Sequence, residues 1–384
     1  MMSSAYETSN VLAAVRKLAP EIIARGDEIE TSSAVPPDLN EKLREAGVFR
    51  MLIPRSYGGE QLHPLQVSRV LQELGRADAS ASWTGMVALG FNVALGHFSR
   101  ELTDELFAKT PDVLVRGAIA PKGVAIPVPG GYVVQGTWSL GSGSYNYSLV
   151  LANCVVLRDG KPSIGPNGMP EMLAALLPRD KVEFLDTWNS VGLRGTCSHD
   201  FVIKEQFVPE LYTANLFGPA TFDMPIQKLT FQMIAAPTHG SVALGIAEGA
   251  IDDLTALAKT KRPAFGGGKR LAEDAVFNYR LGSLAVRVDA MRGSLERAIM
   301  DTWELANSDE AVTPLHAART TAMAAHVQTE ALEVVSEAFT LAGASACYNS
   351  FVLQRRWRDV RCLAQHAAAN TGMLYQALGS ALVA

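Results

Sequence analysis

The spacing of apolar residues changes twice along this chain, and that change constrains the fold more than any single motif does. Up to about residue 108, apolar side chains recur at the intervals expected of helices. Between residues 114 and 209 the chain carries short runs rich in Val, Ile and Tyr, separated by Gly and Pro, which is typical of strands. Helical spacing returns at about residue 229 and continues to the end. The pattern predicts a mainly α protein with a β domain in the middle.

These changes predict three domains: an N-terminal helical domain over residues 1–112, a middle β domain over 113–222 and a helical bundle over 223–384. Four long helices are expected in the last part. Short connections between such helices favour an antiparallel bundle. The fourth helix is expected to include His366 and to end near Leu382.

Composition excludes several classes of protein. The net charge is -5 and no basic block occurs, which argues against nucleic-acid binding. No apolar run reaches the roughly 18 residues that span a bilayer. The first residues lack a basic region followed by an apolar core, so no signal peptide is expected. The four cysteines form no CxxC pair, and neither disulfides nor a metal site is predicted. A reduced, cytoplasmic protein is the expectation.

One highly charged segment lies inside the predicted bundle. Residues 353–366 read LQRRWRDVRCLAQH, with arginines, a tryptophan, an aspartate and a histidine between two alanine-rich stretches. Buried charge is costly unless it is paired. The segment is therefore either a structural ion-pair network or part of a functional site.

The LQRxWRD pattern followed by His resembles the last segment of the acyl-CoA dehydrogenase fold. Further stretches resembling this superfamily occur in family order along nearly the whole chain, at 41–47, 53–59, 74–83, 136–139, 191–196 and 208–209. The sequence is most similar to the flavin-dependent monooxygenase branch, the oxygenase components of two-component hydroxylases. The resemblance implies an N-terminal helical domain, a middle β-barrel or sheet domain and a C-terminal four-helix bundle. It also implies a homotetramer, with flavin between domains and subunits.

The resemblance also points to the absence of a dehydrogenase base. In the dehydrogenases a glutamate removes a proton from the acyl chain, and the two positions known for it hold Ala367 and Ala235 here. Proton abstraction from a thioester then has no agent, so ordinary dehydrogenase activity is disfavoured. Next to Ala367 stands His366, and similar monooxygenases place a catalytic histidine in this region. The alternative is a buried helix histidine whose partner is Asp359 or a backbone carbonyl.

A second set of residues resembles the flavin site of the monooxygenase branch. Residues 138–144 read WSLGSGS, close to a W-S-F-x-S-G pattern that lies over the flavin ring. Small residues at the end of a strand permit close approach of the backbone to a flat ring. Ser142 is the second catalytic candidate, and Trp138 and Gly143 are expected cofactor contacts. A plain β-turn is the alternative.

The other expected cofactor contacts are Trp188, Arg194, Thr196, Ser198, Arg262 and Phe265. An indole packs on a flavin ring, hydroxyls bond its polar edge and arginine binds phosphate through two oxygens. A core tryptophan and a solvated loop arginine are the alternatives for Trp188 and Arg262. Departures from the dehydrogenase pattern at 266–268 and 342–345 favour FMN over FAD.

Substrate contacts are expected from Trp83, Phe91, Asn92, Tyr145 and His239. Many of these hydroxylases carry a His-Asn pair on the fourth helix, where this chain has Phe91-Asn92. The substrate is therefore expected to differ from simple phenols, and an amine, a sulfur heterocycle or a less polar aromatic are the options. The nearby His97 is expected to be structural.

The resemblance implies an oxygenase that uses reduced FMN, or FAD, and O2 to form a C4a-hydroperoxide and oxygenate a small aromatic or amine substrate. The reduced flavin would come from a separate NAD(P)H:flavin reductase. The lack of a GxGxxG fingerprint fits a protein that does not itself bind NAD(P)H. Two alternatives remain, an acyl-CoA dehydrogenase-like flavoenzyme and a flavin-binding protein without turnover.

Overall fold

The computed structural model describes residue 6 and residues 8–165, 168–264 and 267–384. The first part of the chain is helical, as its periodicity predicts. Its helices are α1 (Asn10–Ala24), α2 (Gly26–Thr31), α3 (Pro37–Glu45), α4 (Pro64–Ala77), α5 (Ala79–Leu95) and α6 (Arg100–Phe107). The long helix α5 is buried over nearly its whole length, so it forms the centre of this domain. Asp78 caps its first turn by accepting hydrogen bonds from the backbone N–H groups of Ser80 and Ala81.

The middle of the chain forms a mixed sheet. Its strands are β1 (Val115–Val128), β2 (Gly131–Trp138), β3 (Leu149–Arg158), β4 (Lys161–Pro162), β5 (Met172–Pro178), β6 (Glu183–Phe184), β7 (Phe201–Pro209) and β8 (Thr213–Ala214). Their order is β6-β7-β2-β1-β3-β5-β8, and β4 pairs with β3. The β1–β3 pair is parallel and the other pairs are antiparallel. The loop that precedes β7 contacts the helical parts of the chain, where Leu193 and Gly195 donate to Asp359 and Ser80.

The last part of the chain is a helical bundle. It contains α7 (Phe231–Thr260), α8 (Ala275–Ala306), α9 (Pro314–Ala342), α10 (Leu353–Leu363) and α11 (Thr371–Val383). Helix α7 packs against α9 within the bundle and against α4 of the first domain, so the two helical parts share one core. We propose domain boundaries at 112/113 and 222/223, because both positions lie in segments that connect these groups of elements.

The expectation of one continuous fourth helix is wrong, because the chain breaks between α10 and α11. His366 has extended backbone angles, φ -68° and ψ 147°, and its Nδ1 accepts a hydrogen bond from the N–H of Ala368 at 3.1 Å. Asn370 caps α11 by accepting from the N–H of Met373 at 3.2 Å. Gln328 of α9 donates to the carbonyl of Ala368 at 2.9 Å. These side chains supply the hydrogen bonds that a continuous helix would have made.

The charged segment of α10 is a structural ion-pair network. Each of three arginines is mostly buried and reaches an acidic side chain on another helix: Arg355 pairs with Asp27 at 2.6 Å, Arg356 with Asp253 at 2.5 Å and Arg358 with Glu30 at 2.5 Å. The network ties α10 to α2 and α7. It therefore fixes the position of the chain break that carries His366.

Within the described ranges, no helix is long and apolar enough to cross a membrane. The same residues contain no group of three or more His, Cys, Asp or Glu side chains placed to hold a metal ion.

Candidate functional site

Three of the residues singled out in the sequence form an aromatic cluster, which we call the imidazole cluster: Trp83, His239 and His366. The rings of His239, on α7, and His366, at the α10–α11 break, are stacked with centroids 4.3 Å apart and planes inclined by 23°. The indole of Trp83, on α5, stands edge-on to both, at 5.4 Å from His239 and 5.8 Å from His366. The cluster lies where the first helical domain and the bundle meet.

Hydrogen bonds to the backbone fix the neutral form of each imidazole. Nδ1 of His239 lies 2.7 Å from the carbonyl oxygen of Ala235. A carbonyl only accepts, so this Nδ1 carries the hydrogen and Nε2 is left as an acceptor. The case of His366 is the opposite, because its Nδ1 accepts from the N–H of Ala368. Its Nε2 therefore carries the hydrogen and is a donor. The two histidines therefore differ in role, since Nε2 of His239 is an acceptor and Nε2 of His366 is a donor.

Both rings of the cluster are neutral near pH 7. Burial, together with the neighbouring His366, lowers the pKa of His239 to about 3. Burial also lowers the pKa of His366, since protein atoms crowd its ring even though part of the side chain reaches solvent in this chain. A second positive charge beside the first would be strongly disfavoured at this distance. The pair thus acts through hydrogen bonding rather than through charge.

Two buried polar side-chain atoms of α5 have no hydrogen-bond partner among the described residues. They are Nε1 of Trp83 and Oδ1 of Asn92, both on α5. Buried polar groups are normally paired, and an unpaired one in a cleft is typical of a site that binds a ligand. Phe91 is also buried on α5. No ring contact joins it to the imidazole cluster.

A row of hydroxyl groups forms a second group of candidate residues. Oγ of Ser198 lies 2.6 Å from Oγ of Ser142 and 2.7 Å from Oγ1 of Thr196. The structure thus brings Ser142 next to Thr196 and Ser198, which lie more than 50 positions later in the sequence. Gly143, next in the chain, packs closely on Arg116, and an added Cβ would lie 3.0 Å from its Cγ. Hydroxyls that both donate and accept suit the polar edge of a flavin ring.

Arg116 is a central residue of this loop region that the sequence reasoning missed. It is 3% exposed, donates from Nε to the carbonyl of Gly141 at 2.7 Å and also donates to the carbonyl of Cys197. Its guanidinium stacks on Phe184 at 3.9 Å. The signal was a single arginine inside the apolar run 113–119, because such a residue must have buried partners.

The backbone of these loops is strained. Leu140, Leu193 and Cys197 have φ values of 59°, 51° and 53°, in the left-handed region that side chains disfavour. Two helices hold the loop that carries Leu193 and Cys197 in place. Asp359 of α10 accepts from the N–H of Leu193 at 2.6 Å, and Ser80 of α5 accepts from the N–H of Gly195 at 3.2 Å. Strain of this kind is concentrated at ligand-binding sites.

Ser80 and Trp83 lie three residues apart on α5, and therefore on one face of the helix. Ser80 contacts the loop that carries Thr196 and Ser198, whereas Trp83 contacts the two imidazoles. The same face of α5 thus connects the hydroxyl row with the imidazole cluster. We treat the two groups as parts of one site.

The expectation that Trp138 contacts a cofactor is wrong. Its side chain is fully buried in the sheet core, where Nε1 donates to the carbonyl of Asn153 at 2.7 Å and the ring stacks on Phe201 at 5.1 Å. A ring with no exposed surface has no face left for a ligand. Trp188, in contrast, is half-buried, and its Nε1 donates to the carbonyls of Leu193 and Arg194.

Among the described residues, Arg194, Arg262 and Tyr145 make no hydrogen bond or ring contact with the imidazole cluster. The half-buried side chain of Arg194 has no ion pair or hydrogen bond to the described residues. Arg262 is exposed and donates to the carbonyl of Gly268, and Phe265 lies outside the described residues. Tyr145 is 48% exposed, with the guanidinium of Arg179 5.7 Å from its ring.

His97 was expected to be structural, and its contacts agree with that role. Its Nδ1 lies 3.1 Å from the carbonyl of Gly218, in the segment that precedes the bundle.

Comparison with known proteins identifies the fold. The profile of the acyl-CoA dehydrogenase N-terminal domain matches residues 6–107, and that of the acyl-CoA dehydrogenase C-terminal domain matches residues 237–371. The crystal structure of 3-HSA hydroxylase from Rhodococcus sp. RHA1 superimposes with a TM-score of 0.91 at 27% identity, over 98% of this chain and 97% of that one. The chain therefore belongs to the acyl-CoA dehydrogenase family, and the expected fold is confirmed.

Relatives within the family are flavin-dependent monooxygenases. The oxygenase subunit HsaA of Rhodococcus jostii (strain RHA1) is 28% identical over 94% of this chain and 95% of its own length. Indole-3-acetate monooxygenase of Acinetobacter baumannii is 27% identical over 91% and 88%. XiaF from Streptomyces sp., solved with FADH2 and glycerol, shares the fold with a TM-score of 0.89 at 24% identity, covering 97% of this chain and 94% of that one. The chain falls in the monooxygenase branch, as its motifs indicate.

Proposed function

We propose that this protein is the oxygenase component of a two-component flavin-dependent monooxygenase, which uses reduced flavin and O2 to oxygenate a small aromatic or amine substrate. The observation that carries the proposal is the imidazole cluster. It stands beside the two positions where a dehydrogenase would hold its glutamate, now Ala235 and Ala367. The carbonyl of Ala235 orients His239.

The hydroxyl row fits the polar edge of a flavin. Ser142 is half-buried and its hydroxyl lies at the open end of the row, while Ser198 and Thr196 are buried behind it. Arg194, half-buried and unpaired within the described ranges, suits the flavin phosphate because arginine binds two phosphate oxygens at once. The departures from the dehydrogenase pattern at 266–268 and 342–345 favour FMN over FAD as this flavin. Reduced flavin supplies the electrons that activate O2.

The residues of the chain then shelter and orient the reactants. Neutral imidazoles and an indole offer hydrogen bonds without bringing charge or bulk water to the reacting atoms. His366 donates from Nε2, and Ser142 donates or accepts according to the orientation of its hydroxyl. We propose His366 and Ser142 as the catalytic pair and Phe91, Asn92 and Tyr145 as further walls of the substrate site.

The assembly belongs to the same proposal. Relatives are named oxygenase subunits or components, so this chain would receive reduced flavin from a separate NAD(P)H:flavin reductase. A homotetramer would cover the apolar faces that the single chain leaves exposed. An acyl-CoA dehydrogenase activity is not favoured, because neither glutamate position holds a carboxylate.

The test is rapid anaerobic mixing of the protein with reduced FMN, followed by O2 and absorbance measurement from milliseconds to seconds. We expect a transient that differs from both reduced and oxidised flavin and decays more slowly than without protein. His366→Ala and Ser142→Ala should each shorten its lifetime, whereas His326→Ala, at an exposed histidine of α9, should not. Oxidation at the protein-free rate in the wild type would contradict the proposal.

A further inference from the structure

The two imidazoles of the cluster have different hydrogen-bonding roles, and only one of them offers an acceptor. Because Ala235 fixes the hydrogen of His239 on Nδ1, its Nε2 is a bare nitrogen. His366 has its bare nitrogen occupied by the N–H of Ala368 and presents N–H instead. Nε1 of Trp83 is a further donor without a partner among the described residues.

We propose that His239 is the specificity-determining acceptor of this site, which selects aromatic substrates that carry an O–H or N–H group. His239 Nε2 accepts the hydrogen of that group, while Trp83 or His366 donates to an oxygen of the same ligand. The proposal rests on the monooxygenase function argued above. It places the acceptor on α7, beside Trp83 of α5.

Two observations support a recognition role over a structural one. His239 is 6% exposed, and its Nε2 has no hydrogen bond to any described residue. Trp83 is 9% exposed and its donor is likewise unpaired in the described part of the chain. Leaving the buried donor of Trp83 unpaired costs free energy, which a ligand that accepts its hydrogen recovers, and Nε2 of His239 offers an acceptor to the same ligand.

The low basicity of His239 defines what it does to the ligand. With a pKa of about 3, its ring does not retain a proton taken from a phenol or an indole near neutral pH. His239 therefore orients the O–H or N–H group and polarises it without storing its proton. The neutral ring also keeps its tautomer throughout the physiological pH range.

Binding of matched ligand pairs to the full-length protein tests the inference without any turnover. The pairs are 2-naphthol with 2-methoxynaphthalene, and indole with 1-methylindole, in which a methyl group replaces the donor hydrogen. We expect wild-type protein to bind at least one donor-bearing member about fivefold more tightly, the value of one net hydrogen bond. A preference within the naphthol pair indicates recognition of an O–H group, and a preference within the indole pair indicates recognition of an N–H group.

Variants assign the preference to a residue. His239→Leu should reduce the affinity ratio to about one, His239→Gln should retain part of it through its amide oxygen, and His326→Leu should leave it unchanged. Trp83→Phe should weaken 2-naphthol and its methyl ether alike, because both keep the oxygen that accepts from the indole. Thermal unfolding of each variant shows that it is folded, and His239→Gln carries the test if His239→Leu is not.

The outcomes separate this inference from the proposed function. A wild-type protein without preference, or a preference that survives in His239→Leu, overturns the role of His239. If either of these results is found together with a normal flavin transient, the proposed monooxygenase function is still supported. If the ligand preference behaves as expected but no transient forms, the proposed function fails and the binding site remains.

Discussion

At the scale of single residues, Asp359 connects the ion-pair network with the candidate flavin site. It is 5% exposed and accepts the N–H of Leu193 at 2.6 Å, whereas its neighbour Arg358 pairs with Glu30. Burial, together with the charge of Asp78, raises the pKa of Asp359 to about 7. The carboxyl group thus holds a strained backbone position while changing its protonation near neutral pH.

Asp359→Asn should make stability less dependent on pH. The folded-state pKa lies above the unfolded value of about 3.9, so the folded protein binds more protons between about pH 4 and 7. Asp359 therefore makes the free energy of unfolding fall as pH rises through this window. Asparagine keeps an acceptor for Leu193 and removes the titration, so the slope should shrink by up to about 1.4 kcal/mol per pH unit.

Urea unfolding of the wild type and the variant at several pH values from 5 to 7.5 measures this slope. Asp309→Asn, at an exposed aspartate, is the matched control and should leave the slope unchanged. An Asp359→Asn slope equal to that of the wild type would show that Asp359 does not titrate in this range.

Ser198→Ala should weaken flavin binding. Ser198 is the middle hydroxyl of the row, so its removal leaves Ser142 and Thr196 without their shared partner and free to rotate. Loss of one net hydrogen bond predicts about a three- to tenfold higher dissociation constant for FMN. Quenching of flavin fluorescence gives the constant. Ser148→Ala, an exposed serine before β3, is the control, and equal affinities in all three proteins would contradict the prediction.

At the scale of secondary-structure elements, the spacing of apolar residues was sufficient to predict the long helices. Helices α7 to α9 each run for about 30 residues with apolar positions at regular spacing, and their sequence reveals them. The break at His366 was not predictable in this way. The segment is rich in alanine and favours helix locally, while the groups that end it include Gln328, about 40 positions away.

The site was predictable only in part, for a related reason. The motif covers both Trp138 and Ser142, but Trp138 is the last residue of β2 and is buried in the sheet core, whereas Ser142 lies in the loop that follows. Arg116 belongs to no motif and acquires its role only when the loops around Gly141 and Cys197 meet. The opposite tautomers of the two imidazoles depend on their contacts with backbone groups, which the sequence does not reveal.

Arg356→Ala should strongly destabilise the attachment of α10 to α7. The guanidinium is 7% exposed and lies 2.5 Å from Asp253, which would be left buried without its partner. Removing one member of a buried pair typically costs about 3–5 kcal/mol. Arg297→Ala removes an exposed pair with Asp301 and should cost less than about 1 kcal/mol. Denaturant unfolding compares them, and equal losses would show that the α10 network contributes no more than a surface pair.

At the scale of the whole molecule, the bundle leaves apolar surface uncovered. Three residues of α8 are largely exposed and share one helical face: Val276 at 69%, Tyr279 at 78% and Val286 at 68%. No residue of α11 is buried, although Met373, Tyr375, Leu382 and Val383 are apolar or aromatic. Exposed apolar surface on this scale marks an interaction site.

A second copy of the chain is the occupant that the proposed tetramer requires. Symmetric association would bury the same α8 and α11 surfaces on every subunit. It would also enclose the α10–α11 junction, where the ring of His366 still reaches solvent in the single chain. Assembly and water exclusion at the imidazole cluster would then depend on the same contacts.

Charge on the α8 face should therefore reduce both the size of the particle and the lifetime of the flavin transient. Each side chain that returns to water forfeits about 1.5–3 kcal/mol per subunit, so Val276→Asp combined with Val286→Asp should shift a tetramer to smaller species at micromolar concentration. Sedimentation velocity measures the mass. Ile23→Asp, at an exposed apolar residue of α1, is the control and should leave the tetramer intact.

A monomeric wild type would contradict the proposed tetramer. Smaller species that keep the full transient lifetime would show that one subunit shelters its site without the others.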